Sequence, residues 1–348
     1  MTDGLIAVEE HFMLPELLQA GQRYLASPAA ADSGWREAGA ALEDADRERR
    51  GALTLDLGAG RLGAMDAAGI DLAVLSISTV ANLQMLDVAE AIPLAQLAND
   101  RLAEAVSEHP DRFAGLAAIA PQDPEQAAAE IERAIQQLHL SGIVINSHTQ
   151  GEYLDAPRSA PIFEAAQAND APIYLHPSLL PAGAVAPYLD YGLMAAMWGY
   201  AADASLHALR IILSGTLDRY PQTRIVLGHL GEHILFSLPR LDAHHEQTRA
   251  KTHPDLAGKP SEYVKEHFFV STSGMNHAHN SVRFSIDALG ADRVMFAADY
   301  PFEDPEPEVQ AFGAADLDPD ERSALAHANA ERVFGLQPVT PAESGLTR

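Results

Sequence analysis

Two side chains near the amino terminus, Glu9 and His11, could together bind a divalent cation. They follow the short apolar run 5–8, which predicts a buried strand, and alternate residues of a strand point to the same face. Glu9 and His11 therefore share a face, whereas Glu10 points the other way. A carboxylate beside an imidazole at the end of a buried strand is costly to desolvate unless both bind something charged, and a divalent metal ion is the commonest solution.

Other metal-binding residue types stand where later apolar runs end. His176, His229 and Asp299 lie at the ends of three such runs. One Glu-x-His pair alone is a weak signal, because most such pairs are exposed strand ends. If the runs are neighbouring parallel strands, however, their carboxyl ends share one face and these side chains converge there.

Eight apolar runs alternate with segments of helical periodicity along the chain. The runs cover residues 5–8, 72–77, 113–119, 142–146, 172–177, 224–229, 268–272 and 294–299. Between them, spacings such as that of Ile131, Ile135 and Leu138 are typical of helices. This α/β pattern predicts a (β/α)8 TIM barrel. A doubly wound open sheet is the runner-up, and it is disfavoured because no glycine-rich phosphate fingerprint follows an early strand.

The length of 348 residues fits one barrel, so we predict a single domain spanning 1–348. Residues 26–60 form a polar, Ala- and Gly-rich insertion after strand one, with the charged cluster Glu43 to Arg50, and their position makes them a candidate lid. Residues 336–348 are predicted to be a C-terminal tail. The irregular segment 178–198 begins directly after His176, and long loops of this kind are usually functional or disordered.

Composition excludes several classes of function. The chain has no cysteine, which excludes disulfides, thiolate nucleophiles and cysteine-ligated metals. The formal net charge of −26 would repel phosphate backbones, so we expect no nucleic-acid partner. We see no basic leader and no apolar run long enough to span a membrane, and we therefore expect a cytoplasmic protein without a membrane partner.

Four motifs carry a resemblance to a known family. They are residues 7–12 (AVEEHF), 173–177 (IYLHP), 227–232 (LGHLGE) and 298–303 (ADYPFE). With them the chain resembles the decarboxylases of the amidohydrolase superfamily, which include γ-resorcylate, 2,3-dihydroxybenzoate and 5-carboxyvanillate decarboxylases. Many hydrolases of the superfamily instead open with His-x-His and carry a lysine on strand four, where this chain has Glu-x-His and Asn146.

The resemblance implies one divalent metal ion per subunit and no organic cofactor. The implied ligands are Glu9, His11, His176 and Asp299. Metals in this family are Mn²⁺ or Zn²⁺, and mixed oxygen and nitrogen ligands suit either ion. We favour Mn²⁺, because a chelating substrate needs two further positions and six-coordination accommodates it more easily than a tetrahedral zinc site.

The resemblance further implies non-oxidative decarboxylation of a hydroxylated aromatic carboxylic acid. Asp299 would deliver a proton to the carboxyl-bearing carbon as general acid. His229, paired with Glu232, would stabilise charge on the phenolic oxygen, or His229 would itself act as the base that shuttles the proton. The ring substituents of the substrate are beyond the sequence.

Four residues are candidates for contacts with the substrate. Phe12, Phe302 and Asn146 are expected as pocket walls, although the two phenylalanines could equally be rim packing. By resemblance, Arg240 binds the substrate of a neighbouring subunit, which requires a homodimer or homotetramer. The alternative for Arg240 is a surface ion pair with Asp242 or another acid.

Two other classes of function remain open at this level. A metal-bound hydroxide with a base such as His229 could hydrolyse a lactone, an ester or an amide. A non-enzymatic metal-binding scaffold is the third reading. Assays for CO₂ release beside lactone and ester hydrolysis separate them.

Overall fold

Eight parallel strands form the centre of the molecule. The structure, a computed structural model, describes residues 4–33, 35–36, 47–81, 83–252 and 256–339. The strands are β1 (Ile6–Phe12), β2 (Leu72–Ile77), β3 (Phe113–Ala118), β4 (Gly142–Asn146), β5 (Ile173–His176), β6 (Ile225–Leu227), β7 (Phe268–Ser271) and β8 (Val294–Met295). Each strand pairs with the next along the chain. The predicted (β/α)8 barrel is confirmed, since this order with helices between strands is the pattern of that fold.

The helices follow the strands in alternation and cover the sheet. Among the described residues they are α1 (Pro15–Ala26), α2 (Pro28–Ser33), α3 (Arg47–Thr54), α4 (Ala59–Ala68), α5 (Val88–Glu108), α6 (Pro124–Gln136), α7 (Ala160–Ala168), α8 (Ala186–Leu189), α9 (Gly199–Leu213), α10 (Thr216–Arg219), α11 (Ile234–Thr252), α12 (Pro260–His267), α13 (His279–Leu289), α14 (Pro305–Ala314), α15 (Pro319–Ser323) and α16 (Asn329–Phe334). Short 3₁₀ turns cover Thr79–Ala81, Leu83–Met85, Pro157–Ser159, Asp190–Gly192, Ala195–Met197 and Ala291–Arg293, and Ala324–Ala328 is a π-helical turn. Within the described ranges, no helix is both long enough and apolar enough to cross a bilayer.

The strands are buried along their whole length, and their register sets which side chains reach the mouth of the barrel. Asn146 pairs with His176 across β4 and β5. Paired residues of neighbouring parallel strands point to the same face, so the orientation of one implies that of the other. The observed bounds reproduce the predicted runs at β2 and β4. Regular pairing in β6 and β8 stops before His229 and Asp299, and both of these residues adopt positive φ angles.

The barrel is held together between its last and first strands by backbone hydrogen bonds beyond the short β8. The three bonds are Val8 N to Phe296 O at 3.1 Å, Asp299 N to Glu9 O at 3.1 Å and His11 N to Tyr300 O at 2.8 Å. These bonds place the residues after β8 directly beside the part of β1 that carries Glu9 and His11.

The Glu10 side chain adds two further links at the same junction. Its carboxylate accepts hydrogen bonds from the backbone N–H groups of Ala298 at 2.9 Å and Tyr300 at 3.1 Å. Arg61 of α4 lies alongside, donating to the carbonyl of His11, with its guanidinium 4.9 Å from the centre of the Tyr300 ring. Glu10 and Arg61 therefore hold the two strand ends from outside the barrel.

The stretch 26–60 contains α2 and α3, and residues 34 and 37–46, among them Glu43, Asp44 and Asp46 of the charged cluster, lie outside the described part of the chain. Trp35 is fully buried, and its indole N–H donates to the carbonyl of Leu180 at 3.0 Å. Trp35 and Leu180 form a small hydrophobic cluster with Val185, Met194 and Ala195, separate from the main core. At Trp35 the chain therefore packs on the loop that follows β5, close after His176. Residues 340–348 of the predicted C-terminal tail lie outside the described residues.

Candidate functional site

Carboxylates and imidazoles from β1, β5 and the segment after β8 meet at the mouth of the barrel, where Glu9, His11 and His176 are buried and Asp299 is partly exposed. One ligand atom each from Glu9, His11 and His176 lie within 4.8 Å of one another. His176 Nε2 is 3.4 Å from Glu9 Oε1, and His11 Nε2 is 3.1 Å from Asp299 Oδ1. The structure thus brings together the four residues that the sequence nominates as metal ligands.

The protonation state of His176 is the one that a metal ligand requires. The Nδ1 of His176 lies 2.8 Å from the Pro177 carbonyl, so the ring donates there and leaves Nε2 bare towards the cluster. Burial, aided by the nearby His11, lowers the pKa of His176 to about 4, which keeps the ring neutral as a ligand must be.

Two atoms of the cluster lack a hydrogen bond of normal geometry, although His11 Nε2 is 3.1 Å from a carboxylate oxygen of Asp299. Glu9 Oε1 and His11 Nε2 are buried, and neither makes a hydrogen bond of normal geometry with any described residue. Unpaired buried polar atoms are costly, and lone pairs that face one another repel. A divalent cation bound between them would remove both costs, so the residues present fit such an ion.

His229 lies on the open side of the cluster and is held by Glu232. Its Nδ1 is 2.9 Å from Glu232 Oε1, and its Nε2 is 3.9 Å from Asp299 Oδ2. Burial opposes a charge on the ring, but the carboxylates of Glu232, Glu9 and Asp299 outweigh it and hold the pKa of His229 well above its ordinary value. Burial alone would raise the pKa of Asp299. The nearby His11 and His229 outweigh this effect and hold the pKa of Asp299 below its usual range.

The His229 segment has an unusual backbone. Residues 229 to 232 all have positive φ, at 49°, 57°, 79° and 54° in order, and only Gly231 among them is a glycine. Left-handed residues other than glycine cost roughly 1–2 kcal/mol each. Such strain clusters at functional sites, and here it directs His229 and Glu232 towards each other.

Two of the proposed pocket residues lie near the cluster. Phe302 places its ring centre 5.5 Å from that of His11 and is 37% exposed. Asn146 is buried and points the same way as its register partner His176. Its Oδ1 atom has no hydrogen-bond partner among the described residues. A free amide oxygen at the mouth can accept a hydrogen bond from a bound hydroxyl group.

Phe12 and Arg240 are not brought into this cluster. Phe12 is fully buried in the main hydrophobic core. The alternation that turns Glu10 away from the mouth also turns Phe12 away, so the expectation of a pocket wall overlooked the strand's own periodicity. Arg240 is exposed on α11. Asp242 accepts hydrogen bonds from the backbone N–H and the hydroxyl group of Ser261, and it does not pair with Arg240.

Sequence reasoning missed two hydroxyl groups that contact Glu9. Both Tyr174 and Ser271 donate to Glu9 Oε2. Tyr174 stands two residues before His176 on β5, and the period of a strand already places the two side chains on one face. For Ser271, at the end of β7, nothing in the sequence distinguishes it from other buried serines.

Comparisons with known proteins agree with this geometry. The amidohydrolase family model matches residues 13–336. The γ-resorcylate decarboxylase of Polaromonas sp. strain JS666 is 34% identical over 343 residues, covering 96% of this chain and 99% of the relative. The structure of 5-carboxyvanillate decarboxylase from Sphingomonas paucimobilis has a TM-score of 0.90 at 39% identity, covering 96% of this chain and 99% of that one.

A third relative was solved with bound ligands. The 5-carboxyvanillate decarboxylase of Novosphingobium aromaticivorans, in complex with manganese and 4-hydroxy-3-methoxy-5-nitrobenzoic acid, has a TM-score of 0.91 at 37% identity and 96% coverage of both chains. All three relatives are decarboxylases of hydroxylated aromatic acids, and the resemblance predicted from the four motifs is confirmed. This chain belongs to the amidohydrolase family, and within that family it groups with the metal-dependent carboxy-lyases.

Proposed function

We propose that this chain is a metal-dependent, non-oxidative decarboxylase of a hydroxylated aromatic carboxylic acid. The observation that carries the proposal is the cluster of the buried Glu9, His11 and His176 with the partly exposed Asp299 beside it and His229 on its open side. Similarity to decarboxylases over 96% of the chain supports the same activity. A lactone, ester or amide hydrolase is the less favoured alternative, since the relatives cited above are all carboxy-lyases.

Glu9, His11, His176 and Asp299 would hold the metal, and Mn²⁺ is favoured because a relative of the same fold binds manganese. When bound, a divalent cation supplies a positive centre that attracts the carboxylate and the adjacent phenolic oxygen of a substrate. Two carboxylates and two neutral imidazoles leave that centre close to neutral. Additional donors or cations are therefore needed to bind the substrate anion.

The chain's own groups provide the proton. Asp299 receives a proton from His229, whose pKa is held above its ordinary value, and delivers it to the ring carbon that carries the carboxyl group, which interrupts the aromatic system. The bond from that carbon to the carboxyl group then breaks, CO₂ leaves, and the bonding pair restores the ring. His229, fixed by Glu232, returns a proton to Asp299 or stabilises the phenolic oxygen, and its Nε2 lies 3.9 Å from Asp299 Oδ2.

Asn146 and Phe302 are proposed to contact the substrate, with Arg240 reaching the site of a neighbouring subunit. Phe236 supports such an assembly: it is 83% exposed, and it lies one helical turn before Arg240 on α11. Trp198 is half exposed and packs on His233, with ring centres 4.5 Å apart. We propose a homodimer or homotetramer in which this apolar surface is covered.

The remaining proposals concern the whole chain. Residues 26–60 are proposed to act as a lid, supported by the contact between Trp35 and the loop after β5. A single domain spanning 1–348, with residues 336–348 as its C-terminal tail, and a cytoplasmic location also remain predictions.

The decisive experiment incubates the Mn²⁺-loaded enzyme with a panel of hydroxybenzoates in D₂O, beside a panel of lactones and esters. We expect CO₂ release from a subset of the hydroxybenzoates, with one deuterium at the vacated ring carbon, because the proton on Asp299 exchanges with solvent. Hydrolysis of a lactone or ester without any CO₂ release would contradict the proposal and establish the alternative.

A further inference from the structure

The two carboxylate oxygens of Glu9 have very different surroundings. Oε2 accepts hydrogen bonds from the hydroxyl groups of Tyr174 and Ser271, the latter at 2.8 Å. Oε1 is buried without a hydrogen-bond partner among the described residues and lies 3.4 Å from His176 Nε2. One oxygen is therefore occupied by the protein, and the other faces the imidazoles.

Proton counting shows that both hydroxyl groups are committed to Glu9. The oxygens of Tyr174 and Ser271 are also 2.9 Å apart, but each hydroxyl group carries a single proton. A carboxylate accepts and cannot donate, so the arrangement is satisfied when both protons point at Oε2. Tyr174 and Ser271 are among the most buried polar side chains, and water does not compete for these protons.

The third side of the carboxylate is closed by Gly228. A Cβ atom at this position would lie 2.9 Å from Glu9 Oε2 and 3.0 Å from Oε1. These distances are shorter than normal contacts, so only glycine leaves room for the carboxylate. Three neighbouring strand ends, those of β5, β6 and β7, thus fix the orientation of a ligand on β1.

We propose that Tyr174 and Ser271 are positioning residues that restrict Glu9 to binding the metal through Oε1 alone. The inference rests on the metal site of the proposed function. A carboxylate held to one oxygen occupies one coordination position, which leaves more positions for a chelating substrate that carries a carboxylate beside a hydroxyl group. Hydrogen bonds to metal ligands typically change metal affinity by about 10- to 100-fold.

The test measures Mn²⁺ binding to the full-length, metal-free protein, using the electron paramagnetic resonance signal of free Mn²⁺. We expect the Kd to rise by about 10-fold or more in Tyr174→Phe and in Ser271→Ala. Tyr153→Phe is the matched control, because its buried hydroxyl donates to Asp203 at 3.0 Å and not to the metal cluster. We expect this control to lose thermal stability and to keep the wild-type Kd.

A second readout separates positioning from a merely structural role. At saturating Mn²⁺, Ser271→Ala should raise KM for the chelating substrate more than it lowers kcat, since Glu9 gains the freedom to occupy a second position. A wild-type Kd in folded Ser271→Ala, which removes a single oxygen atom, would overturn the inference even if Tyr174→Phe does not fold. Tight Mn²⁺ binding by a wild-type protein that decarboxylates nothing would instead overturn the proposed function and leave this inference standing.

Discussion

Asp299 has two imidazole neighbours, and this double contact makes it central to the site. One carboxylate oxygen is 3.1 Å from His11 Nε2, and the other is 3.9 Å from His229 Nε2. Its backbone has a φ of 67°, a conformation that is uncommon outside glycine. This arrangement suits the two roles proposed for Asp299, as a metal ligand on one side and a proton donor on the other, and packing alone would not require it.

Replacing Asp299 with Asn should leave a folded protein with weakened metal binding and little turnover. The amide has nearly the shape of the carboxylate, but it carries no charge for the cation and no acidic proton for the ring carbon. Loss of a general acid typically lowers the rate by about 10²- to 10⁴-fold. Steady-state kcat and the metal content per chain after dialysis measure the two effects.

Asp304→Asn provides the control for this variant, because Asp304 is exposed and caps α14, where Asn is an equally good cap. It should keep wild-type activity and metal content. Unchanged turnover in Asp299→Asn would exclude Asp299 from both of its proposed roles.

The left-handed turn at residues 229–232 is the element that sets the geometry of the His229–Glu232 pair. Leu230 N donates to the Ser271 carbonyl at 2.7 Å, which anchors the turn to β7. Gly231 has a φ of 79°, and a Cβ there would lie 3.0 Å from Val270 Cγ1. Both backbone conformation and space therefore demand glycine at the centre of this turn.

Gly231→Ala should be more damaging than the same change at Gly69. Gly69 ends α4 with a φ of 80° and has open space around its missing Cβ, so its substitution costs only the left-handed backbone, about 1 kcal/mol. At Gly231 the clash with Val270 adds to that cost and shifts His229. We expect Gly231→Ala to lower the free energy of unfolding by about 2–3 kcal/mol and kcat by more than 10-fold.

Urea unfolding and kcat of the two variants measure this difference. Gly69→Ala should keep the activity of the wild type. Equal stability losses with full activity in both variants would show that the turn tolerates a side chain and does not control His229.

On the scale of the whole molecule, α11 exposes Phe236 and Arg240 one helical turn apart on the same face. An exposed phenylalanine beside an arginine is a poor surface for a monomer and a suitable one for an interface. With a chain mass of 37.3 kDa, sedimentation equilibrium should find a dimer or tetramer.

Phe236→Asp should dissociate the assembly and lower activity, because Arg240 would no longer reach a neighbour's substrate. Phe284→Asp is the matched control, since Phe284 is also exposed, at 43%, but lies on α13. It should keep the mass and activity of the wild type. A wild-type protein that is monomeric and fully active would refute the role proposed for Arg240.

Asp203, a buried acid that is not among the proposed metal ligands, should link the stability of the whole barrel to pH. Asp203 of α9 accepts hydrogen bonds from the Tyr153 hydroxyl at 3.0 Å and from the Ser178 N–H at 3.3 Å. Burial outweighs these bonds and raises the pKa of Asp203 to about 7. The protonated form is therefore favoured by folding, and its contribution is complete at low pH.

The free energy of unfolding of the wild type, taken relative to Asp203→Asn, should fall as pH rises from about 4 to about 7. Each pKa unit corresponds to about 1.4 kcal/mol, so the difference amounts to a few kcal/mol. Burial lowers the pKa of His207 to about 3, with an effect of opposite sign, but His207 is common to both proteins and cancels. Urea unfolding at several pH values measures the difference, and parallel curves for the two proteins would contradict the assignment.

Local periodicity was enough to predict the barrel and the convergence of its polar strand ends. The predicted run 142–146 matches β4 without a shift, and the alternation that pairs Glu9 with His11 follows from the backbone alone. In a parallel barrel the carboxyl ends of all strands lie at the same face. Assigning each strand from its local sequence was therefore enough to predict that Glu9 and Asp299, which are far apart in sequence, lie close together.

Only the tertiary structure decided which side chains support these ligands. The donation of Ser271 to Glu9 spans 262 residues, and the contact of Trp35 with Leu180 spans 145. Such contacts depend on the register between strands and on the packing of loops, which no local pattern encodes. The alternation of side chains along a strand depends only on adjacent residues. The hydrogen-bond partner of a buried polar atom depends on which distant residues the tertiary structure packs against it.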